Sequence, residues 1–209
     1  DYLVYGKGLG SLSASRNTVL DCGNSGTLAR LLIGILSTTP NIRVKIKGDK
    51  SLNKRDMSKL IQSMSEFGAE FIPKNKKHFP LNLISSEIPV AIDYIAGNSA
   101  QIKSAVILAG LNSFGNTKII EKQKTRDHTE NILLNNSKSI EIKKKLNLIK
   151  VLGKKSLNKT NMKVPSDPSS AAFFAAMCLL NKKSAIKIKK VCINPRRMGF
   201  YNLLKMHGA

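Results

Sequence analysis

A chain of 209 residues with 42% hydrophobic and 5% aromatic residues fits a soluble protein that buries a core of Ile, Leu, Val and Ala. No apolar run approaches the roughly 20 residues of a membrane span, and the start DYLVYGKGLG lacks the basic-then-apolar order of a signal peptide. The net charge of +22 keeps nucleic-acid binding open as an alternative. The lysines, however, alternate with Ile or Val on strand-like segments and are not interleaved with aromatic residues, which favours a solvated face.

The first predicted helix follows the stretch DCGNSGTLARLL at residues 21–32. Its apolar residues recur at helical spacing and predict one buried face made of Leu28, Leu31, Leu32, Ile35 and Leu36. Asn24 or Ser25 is placed to cap the helix, and Gly26 leaves room for close approach to the backbone. A helix start with free N–H groups and small side chains is typical of an anion site, although an ordinary capped helix has the same pattern.

The elements that follow alternate between strands and helices. RVKIK (43–47) reads as a half-buried strand and Gly48-Asp49 as a turn. A second helix is predicted to start at Ser51 or Asn53 and to end at Gly68, with an inner face of Met57, Leu60, Ile61 and Met64. Short strands are predicted at 79–84 and 90–94. This order, helix, strand, helix, strand, strand, indicates an α/β fold.

Two independent markers repeat with a period of about 71 residues. Arg55, Arg126 and Arg197 are 71 and 71 residues apart, and each precedes or opens a helix-like segment. Small polar residues before an apolar helix recur at Ser25, Ser99 and Ser169, at intervals of 74 and 70 residues. An internal repeat therefore organises the chain. If the repeats share an axis, the three similar helix starts would face one cleft.

Six ordered motifs resemble the 5-enolpyruvylshikimate-3-phosphate (EPSP) synthase family over nearly the whole chain. They are GNSGTLAR, GDKSLNKRDM, NSAQIKSAVILAGL, KTRDHTENIL, VPSDPSSAAFF and NPRRMGFYNLLKMHGA. The resemblance implies βαβαββ units repeated around a pseudo-threefold axis in two domains. Residues 1–162 would form most of one domain, and residues 163–209 would begin an incomplete second domain.

The resemblance also implies a reaction and its binding residues. The family transfers the enolpyruvyl group of phosphoenolpyruvate to the 5-hydroxyl of shikimate 3-phosphate and releases phosphate. The residues that match its phosphoenolpyruvate site are Asn24, Gly26, Thr27, Arg55 and Gln101. Those that match its shikimate 3-phosphate site are Ser99, Ala100, Gln101 and Arg126. Gly26 further implies inhibition by glyphosate at the phosphoenolpyruvate position.

The family's acid/base residues have no counterpart here. The family's N-terminal GDKS-type segment, which is distinct from GDKSLNKRDM at residues 48–57, and its segments with the acid/base Asp and Glu are expected to lie outside this chain. Leu28 stands where a smaller residue is common. Asp49, Asp56 and Asp127 read as helix-start or turn acids. We therefore expect no catalytic residue within this chain, which is interpreted as a fragment that is inactive alone.

Several residues have competing interpretations. Arg30 is predicted to be a structural ion-pair partner, His128 is expected to have no catalytic role, and Arg126 has Asp127 beside it as an alternative partner. Arg196 and Arg197 continue the repeat and are assigned no site.

The cysteines bear on the nearest rival function. Cys22, Cys178 and Cys192 lack metal-ligand spacing and are expected to be reduced thiols of a cytoplasmic protein, with Cys22 buried and structural. A UDP-N-acetylglucosamine enolpyruvyl transferase would need a loop cysteine, which Cys22 does not convincingly supply.

The expected partners are small anions. We expect no cofactor, metal, membrane or specific nucleic-acid partner, and a monomeric full-length enzyme. Besides the UDP-N-acetylglucosamine enzyme and a basic nucleic-acid-binding module, a non-catalytic scaffold with the same fold is a third alternative.

Overall fold

The computed structural model describes residues 2–208, with the side chain of Asn136 left aside. These residues form two compact units, and the division falls between Lys159 and Thr160. Over this range no helix is both long and apolar enough to pass through a bilayer.

The first unit contains two consecutive repeats of the order strand, helix, strand, helix, strand, strand. The first repeat consists of β1 (Val19–Asp21), α1 (Gly26–Ser37), β2 (Arg43–Lys47), α2 (Ser58–Glu66), β3 (Glu70–Ile72) and β4 (Leu81–Ile84). The second consists of β5 (Asp93–Ala96), α3 (Ala100–Leu111), β6 (Asn116–Glu121), α4 (His128–Asn136), β7 (Ile140–Lys143) and β8 (Leu148–Leu152). Short 3₁₀ turns lie at Leu52–Lys54 and Lys144–Leu146.

Each repeat forms a four-stranded mixed sheet with the same topology. The strand orders are β1-β2-β4-β3 and β5-β6-β8-β7, with one parallel pair at the start of each and antiparallel pairs elsewhere. Alternation along β2 buries Val44 and Ile46 and leaves its three charged residues exposed, as the RVKIK pattern predicts. The α/β fold class with repeated βαβαββ units is confirmed.

Helices α1 and α3 pack closely and run in the same direction. At one end Gln101 bonds to Thr27, and at the other the Thr38 hydroxyl donates to the Ala109 carbonyl over 3.2 Å. Between these ends the backbones approach so closely that a Cβ built on Gly34 would lie 2.6 Å from the Ala105 carbonyl oxygen. The parallel packing places both helix N-termini at the same edge of the first unit.

The buried face of α1 differs from the predicted one. Leu28 is 48% exposed, and Leu31, Leu32 and Ile35 are only partly buried. Of the predicted face Leu36 is buried, and the other buried residues of α1 are Gly26, Ala29, Ile33, Gly34 and Ser37. The rest of the prediction was wrong because α1 is apolar on more than one side, and close contact with α3 selects the side with small residues.

The second helix begins later than predicted. The Asp49 carboxylate accepts a hydrogen bond from Leu52 N–H at 2.7 Å and starts only a 3₁₀ turn, which the extended backbone of Arg55 ends. The start at Ser51 or Asn53 was therefore wrong, and α2 begins at Ser58. Its predicted inner face is confirmed, since Met57, Leu60 and Met64 are buried and Ile61 is partly buried against the core. Gly68, with φ +95°, follows its C-terminus.

The predicted strands are confirmed with shifted bounds. β4 lies within the predicted 79–84. The strand predicted at 90–94 runs instead from Asp93 to Ala96, because Ala91 N–H donates to the Phe114 carbonyl and Val90 forms only an isolated bridge with Phe114.

The second unit contains α5 (Pro168–Leu179), a 3₁₀ turn (Pro195–Arg197) and α6 (Gly199–Met206). The Asp167 carboxylate caps α5 by accepting from Ser169 and Ser170 N–H. Asp167, not Ser169, is therefore the counterpart of the caps Ser25 and Ser99, and the third marker was misplaced by two residues. Arg197 Nη2 lies 2.5 Å from the Asp167 carboxylate and 2.8 Å from Ser169 Oγ.

Helix α5 is apolar nearly all round, yet Pro168 and Ala171 are its buried residues. Its exposed side chains include Phe173, Phe174 and Met177. Within the second unit, taken by itself, most of the apolar surface of α5 is therefore left uncovered.

Candidate functional site

The adjacent N-termini of α1 and α3 form the candidate site. Ser25 Oγ accepts from Leu28 N–H at 3.1 Å, and Ser99 Oγ accepts from Ile102 N–H at 3.3 Å. The two caps are thus built alike, and Ser25 is the residue that caps α1. Because a helix N-terminus has a positive potential, two such ends at one edge favour an anion there.

Gln101, the second residue of α3, joins the two helix starts. Its Nε2 donates to Thr27 Oγ1 at 2.6 Å, and its Oε1 accepts from Arg30 Nη1 at 2.6 Å. The amide therefore fixes the Thr27 hydroxyl and the Arg30 guanidinium at the same time. Two residues predicted at the phosphoenolpyruvate site, Thr27 and Gln101, are in direct contact although 74 positions separate them.

Arg55, at the end of the 3₁₀ turn before α2, reaches the same edge. Its Nη2 donates to Asn24 Oδ1 at 2.9 Å, and Asn24 Nδ2 donates to the Asp49 carboxylate at 2.6 Å. The Leu52 N–H, followed by the Asn24 amide, lowers the pKa of Asp49 and keeps it ionised. The carboxylate thus orients Asn24, which in turn positions the Arg55 guanidinium.

Gly26 provides the space into which the two guanidinium groups extend. A Cβ built on Gly26 would lie 2.8 Å from Arg30 Nη1 and 2.8 Å from Arg55 Nη1. The absent side chain lets both cations approach the first turn of α1. The space beside Gly26 is occupied here by arginine nitrogens, and ligand access to the backbone at this position stays a prediction.

The two guanidinium groups of this cluster form no direct ion pair within the part of the chain that the structure describes, although the Asp49 carboxylate interacts electrostatically with Arg55. Neither Arg30 nor Arg55 has an ion-pair partner among those residues. Burial, followed by the charge of Arg55, lowers the pKa of the Arg30 guanidinium below its ordinary value. Two neighbouring cations at two helix N-termini are an arrangement that favours a multiply charged anion.

The contacts of Arg30 differ from its predicted role. It was predicted to form a structural ion pair, but its described bonds are to Gln101 Oε1 and, at 3.4 Å, to the Gly26 carbonyl. Its spacing was a usable signal, since a helical residue four positions after Gly26 points its side chain back toward the helix start.

The residues predicted for shikimate 3-phosphate are brought together only in part. Ser99, Ala100 and Gln101 are the cap and first two residues of α3. Arg126 is in the loop between β6 and α4, two residues before α4, and its side chain makes no hydrogen bond or ion pair within residues 2–208. No described contact joins Arg126 to the other predicted residues, so its role stays a prediction.

The remaining acids lie at helix starts, as the sequence predicts, and His128, which was expected in the loop with Arg126, is the first residue of α4. Asp56 accepts from Ser58 N–H at 2.7 Å at the start of α2, while Asp127 and His128 are the cap position and first residue of α4. Within residues 2–208 no three His, Cys, Asp or Glu side chains are grouped as metal ligands.

Cys22 is a buried free thiol, as predicted, with 4% of its surface exposed. Burial, followed by the charge of Asp21, raises its pKa. A buried thiol with a raised pKa is a poor nucleophile, which weakens the alternative that requires a reactive loop cysteine.

An open cleft of about 650 Å³ lies between α2 and the β5–α3 connection. Its lining includes Ser99 and the charged residues Lys59, Glu66 and Asp93, without Arg30 or Arg55. The mixed charge makes this cleft a weaker anion site than the paired guanidinium groups.

Comparisons with known proteins agree on one family. The family model described as EPSP synthase (3-phosphoshikimate 1-carboxyvinyltransferase) matches residues 2–209. Two proteins named 3-phosphoshikimate 1-carboxyvinyltransferase, from Paracoccus denitrificans and Ruegeria sp., are 41% and 37% identical over 212 residues, covering 100% of this chain and 47% of each relative. The solved EPSP synthase of Acinetobacter baumannii has a TM-score of 0.80 and 35% identity, covering 96% of this chain and 45% of that one. The chain thus spans about half the length of these relatives.

Proposed function

Because the chain belongs to the EPSP synthase family, we propose that it supplies anion-binding groups for one transfer reaction. The enolpyruvyl group of phosphoenolpyruvate moves to the 5-hydroxyl of shikimate 3-phosphate, and phosphate leaves. The observation that supports this most is the pair of guanidinium groups of Arg30 and Arg55 beside two capped helix N-termini. Among the described residues neither guanidinium makes a direct ion pair with a carboxylate. Both substrates are multiply charged anions, which is the ligand chemistry that this arrangement favours.

Phosphoenolpyruvate is assigned to the start of α1. Its carboxylate and phosphate would replace the weaker bonds that the guanidinium groups now make to Asn24 and Gln101. Gly26 leaves the space in which both guanidinium groups would meet the ligand, and Thr27 offers a hydroxyl that Gln101 already orients. Arginine suits this ligand better than lysine because its planar fork matches two oxygens at once.

Shikimate 3-phosphate is assigned to the start of α3. The Ser99 hydroxyl oxygen accepts the capping bond, which leaves its proton available to donate to a ligand. Ala100 leaves space at the first turn, Gln101 lies between the two substrates, and Arg126 is proposed to bind from the β6–α4 loop.

The role of this chain is to bind and orient rather than to move protons. Two anions repel each other, so fixed cations and N–H donors lower the barrier by holding them together. Transfer also needs a proton delivered to the methylene carbon and one removed from the hydroxyl. Asp49, the acid nearest the cluster by its contacts, is held ionised as an acceptor for Asn24 and Leu52. The acid/base residues are therefore proposed to lie outside this chain.

A chimeric enzyme tests the proposal. In the chimera, this chain replaces the matching segment of the Paracoccus denitrificans relative. We expect it to release phosphate and form the enolpyruvyl ether with shikimate 3-phosphate but not with UDP-N-acetylglucosamine, while the 209-residue chain alone forms none. A folded chimera that binds neither phosphoenolpyruvate nor shikimate 3-phosphate would refute the proposal.

The wider setting follows from the same proposal. We place the reaction in the cytoplasmic biosynthesis of aromatic amino acids, by a monomeric enzyme with residues 1–162 in one domain and residues 163–209 in the next. Nucleic-acid binding is proposed to be non-specific, so it should weaken steeply with salt and show no sequence preference. Sedimentation and salt-dependent binding measurements on the chimera test these two points.

A further inference from the structure

Lys103 is a fully buried charged residue that the proposed binding scheme does not use. It lies on α3 with 0% of its side chain exposed. Its Nζ is 2.7 Å from a Glu121 carboxylate oxygen and 2.5 Å from a Glu130 carboxylate oxygen, and both glutamates are nearly buried. Burying three charged groups has a large desolvation penalty, so such a cluster is weak evidence for a role in stability alone.

The cluster ties one loop to one helix. Glu121 is the last residue of β6 and Glu130 lies in the first turn of α4, so they hold the two ends of loop 122–127. The Glu121 oxygen that accepts from Lys103 also accepts a hydrogen bond from the Thr125 N–H at 3.4 Å. Thr125 directly precedes Arg126 in the loop. Lys103 therefore fixes both ends of the loop on which Arg126 lies.

The same helix presents the predicted acceptor site. Lys103 lies one turn after Ser99, and its N–H donates to the Ser99 carbonyl at 3.1 Å. Thr129 Oγ1 and Ser104 Oγ, 2.8 Å apart, make a further contact between α4 and α3. The loop is thus anchored to the helix turn that begins with Ser99.

The fold itself does not require a lysine at this position. In each of the three capped helices the residue four positions after the cap is buried, and it is Ala29 in α1, Lys103 in α3 and Ala171 in α5. Among the three, only α3 places a charge there, and α3 belongs to the repeat whose loop includes Arg126.

We propose that Lys103, Glu121 and Glu130 form a positioning cluster that sets the location of Arg126 relative to Ser99 and so controls affinity for the phosphorylated acceptor. This inference rests on the proposed function. The three residues are positioning residues, since they act through Arg126 and the loop and do not touch substrate.

The test replaces the cluster without leaving a buried charge. A triple variant of the chimera, Lys103→Met with Glu121→Gln and Glu130→Leu, removes all three charges. A single change would leave the remaining charges buried without a partner and could prevent folding. Lys118→Met, which removes an exposed lysine 3.7 Å from Asp93, is the matched control. We expect the triple variant to fold, to raise KM for shikimate 3-phosphate about 10-fold, and to leave KM for phosphoenolpyruvate within about twofold.

Coupling to Arg126 separates positioning from general destabilisation. In an Arg126→Ala background the triple change should have little further effect on KM for shikimate 3-phosphate, whereas independent changes would raise this KM by the product of their separate factors. The inference would be overturned by such a product, or by a triple variant whose KM for shikimate 3-phosphate is unchanged when Arg126 is present.

Amide hydrogen exchange gives a readout that does not depend on activity. We expect faster exchange in residues 122–127 of the triple variant and unchanged exchange in α1. Unchanged loop exchange would overturn the inference even in an inactive chimera, whereas failure of the unaltered chimera to bind either substrate would count against the proposed function alone.

Discussion

Replacing Gly26 with alanine tests whether the missing side chain is what lets two cations converge. A Cβ on Gly26 would lie 2.8 Å from both Arg30 Nη1 and Arg55 Nη1, and 3.7 Å from Leu52 Cδ1. Ordinary contact begins at about 3.5–4.0 Å, so each guanidinium nitrogen must move by roughly 0.7–1.2 Å. The contact with Leu52 is already ordinary and needs no change.

This displacement is large for a hydrogen bond and small for the fold. Protein hydrogen bonds span only about 2.7–3.2 Å, so such a movement removes at least one charge-assisted bond to a bound anion, worth about 1.5–3 kcal/mol. The expected rise in KM for phosphoenolpyruvate is therefore about 10- to 150-fold. The free energy of unfolding should stay level or rise by up to about 1 kcal/mol, because alanine favours a helix over glycine and the displaced atoms end flexible side chains.

The assay combines steady-state kinetics with denaturant unfolding of the chimera. Gly199→Ala is the matched control, because Gly199 also opens a helix but a Cβ added there would have nothing within 4 Å. Inhibition by glyphosate should weaken together with phosphoenolpyruvate binding. The reasoning would be refuted if Gly26→Ala left KM for phosphoenolpyruvate unchanged, or if Gly199→Ala raised this KM by the same factor.

Three further changes probe other parts of the molecule. Arg55→Lys keeps the charge but loses the planar fork, so KM for phosphoenolpyruvate should rise about 10-fold or more, whereas Arg43→Lys on β2 should leave it unchanged. Gly34→Ala forces α1 away from the α3 backbone, where a Cβ meets Ala105 atoms at 2.6–3.0 Å, and should lower the free energy of unfolding by about 1–3 kcal/mol in urea titrations. Cys22, whose pKa is raised chiefly by burial, should react with thiol reagents at about pH 8 well below the rate of the other two cysteines, and all three rates should converge in urea.

A different result at Arg55, Gly34 or Cys22 would contradict the corresponding prediction. An equal rise in KM for phosphoenolpyruvate in Arg55→Lys and Arg43→Lys would indicate a general effect of replacing arginine by lysine and not the loss of a planar fork at this site. A Gly34→Ala protein as stable as its parent would show that the two helices separate freely. Rapid labelling of folded Cys22 would restore the possibility of a reactive loop thiol.

Local patterns predicted most of the fold because their causes are local. At Ser25 and Ser99 the side-chain oxygen accepts a hydrogen bond from the backbone N–H three residues later. Strand β2 depends on the alternation of apolar and charged residues along five positions. The repeat of about 71 residues adds the order of elements, since similar segments form similar units. These features are legible without knowing what packs against what.

The errors arose where a second segment decides the outcome. The sequence shows α1 as apolar on several sides, and only contact with α3 determines that Ala29 and Ile33 are buried instead of Leu28. The partner of Arg30 is Gln101, 71 positions away, so no local pattern identifies it. The same holds for Lys103, which reads as an ordinary helix lysine until β6 and α4 bring two carboxylates to it.

By itself the amino-acid sequence determined the α/β repeat, the capped helix starts and the family, because spacing and small polar residues are properties of short segments. The tertiary structure alone decided that two guanidinium groups share the space beside Gly26 and that three buried charges anchor the Arg126 loop. The physical reason is that charges and close packing act through space, between residues whose distance along the chain does not reveal their distance in the fold.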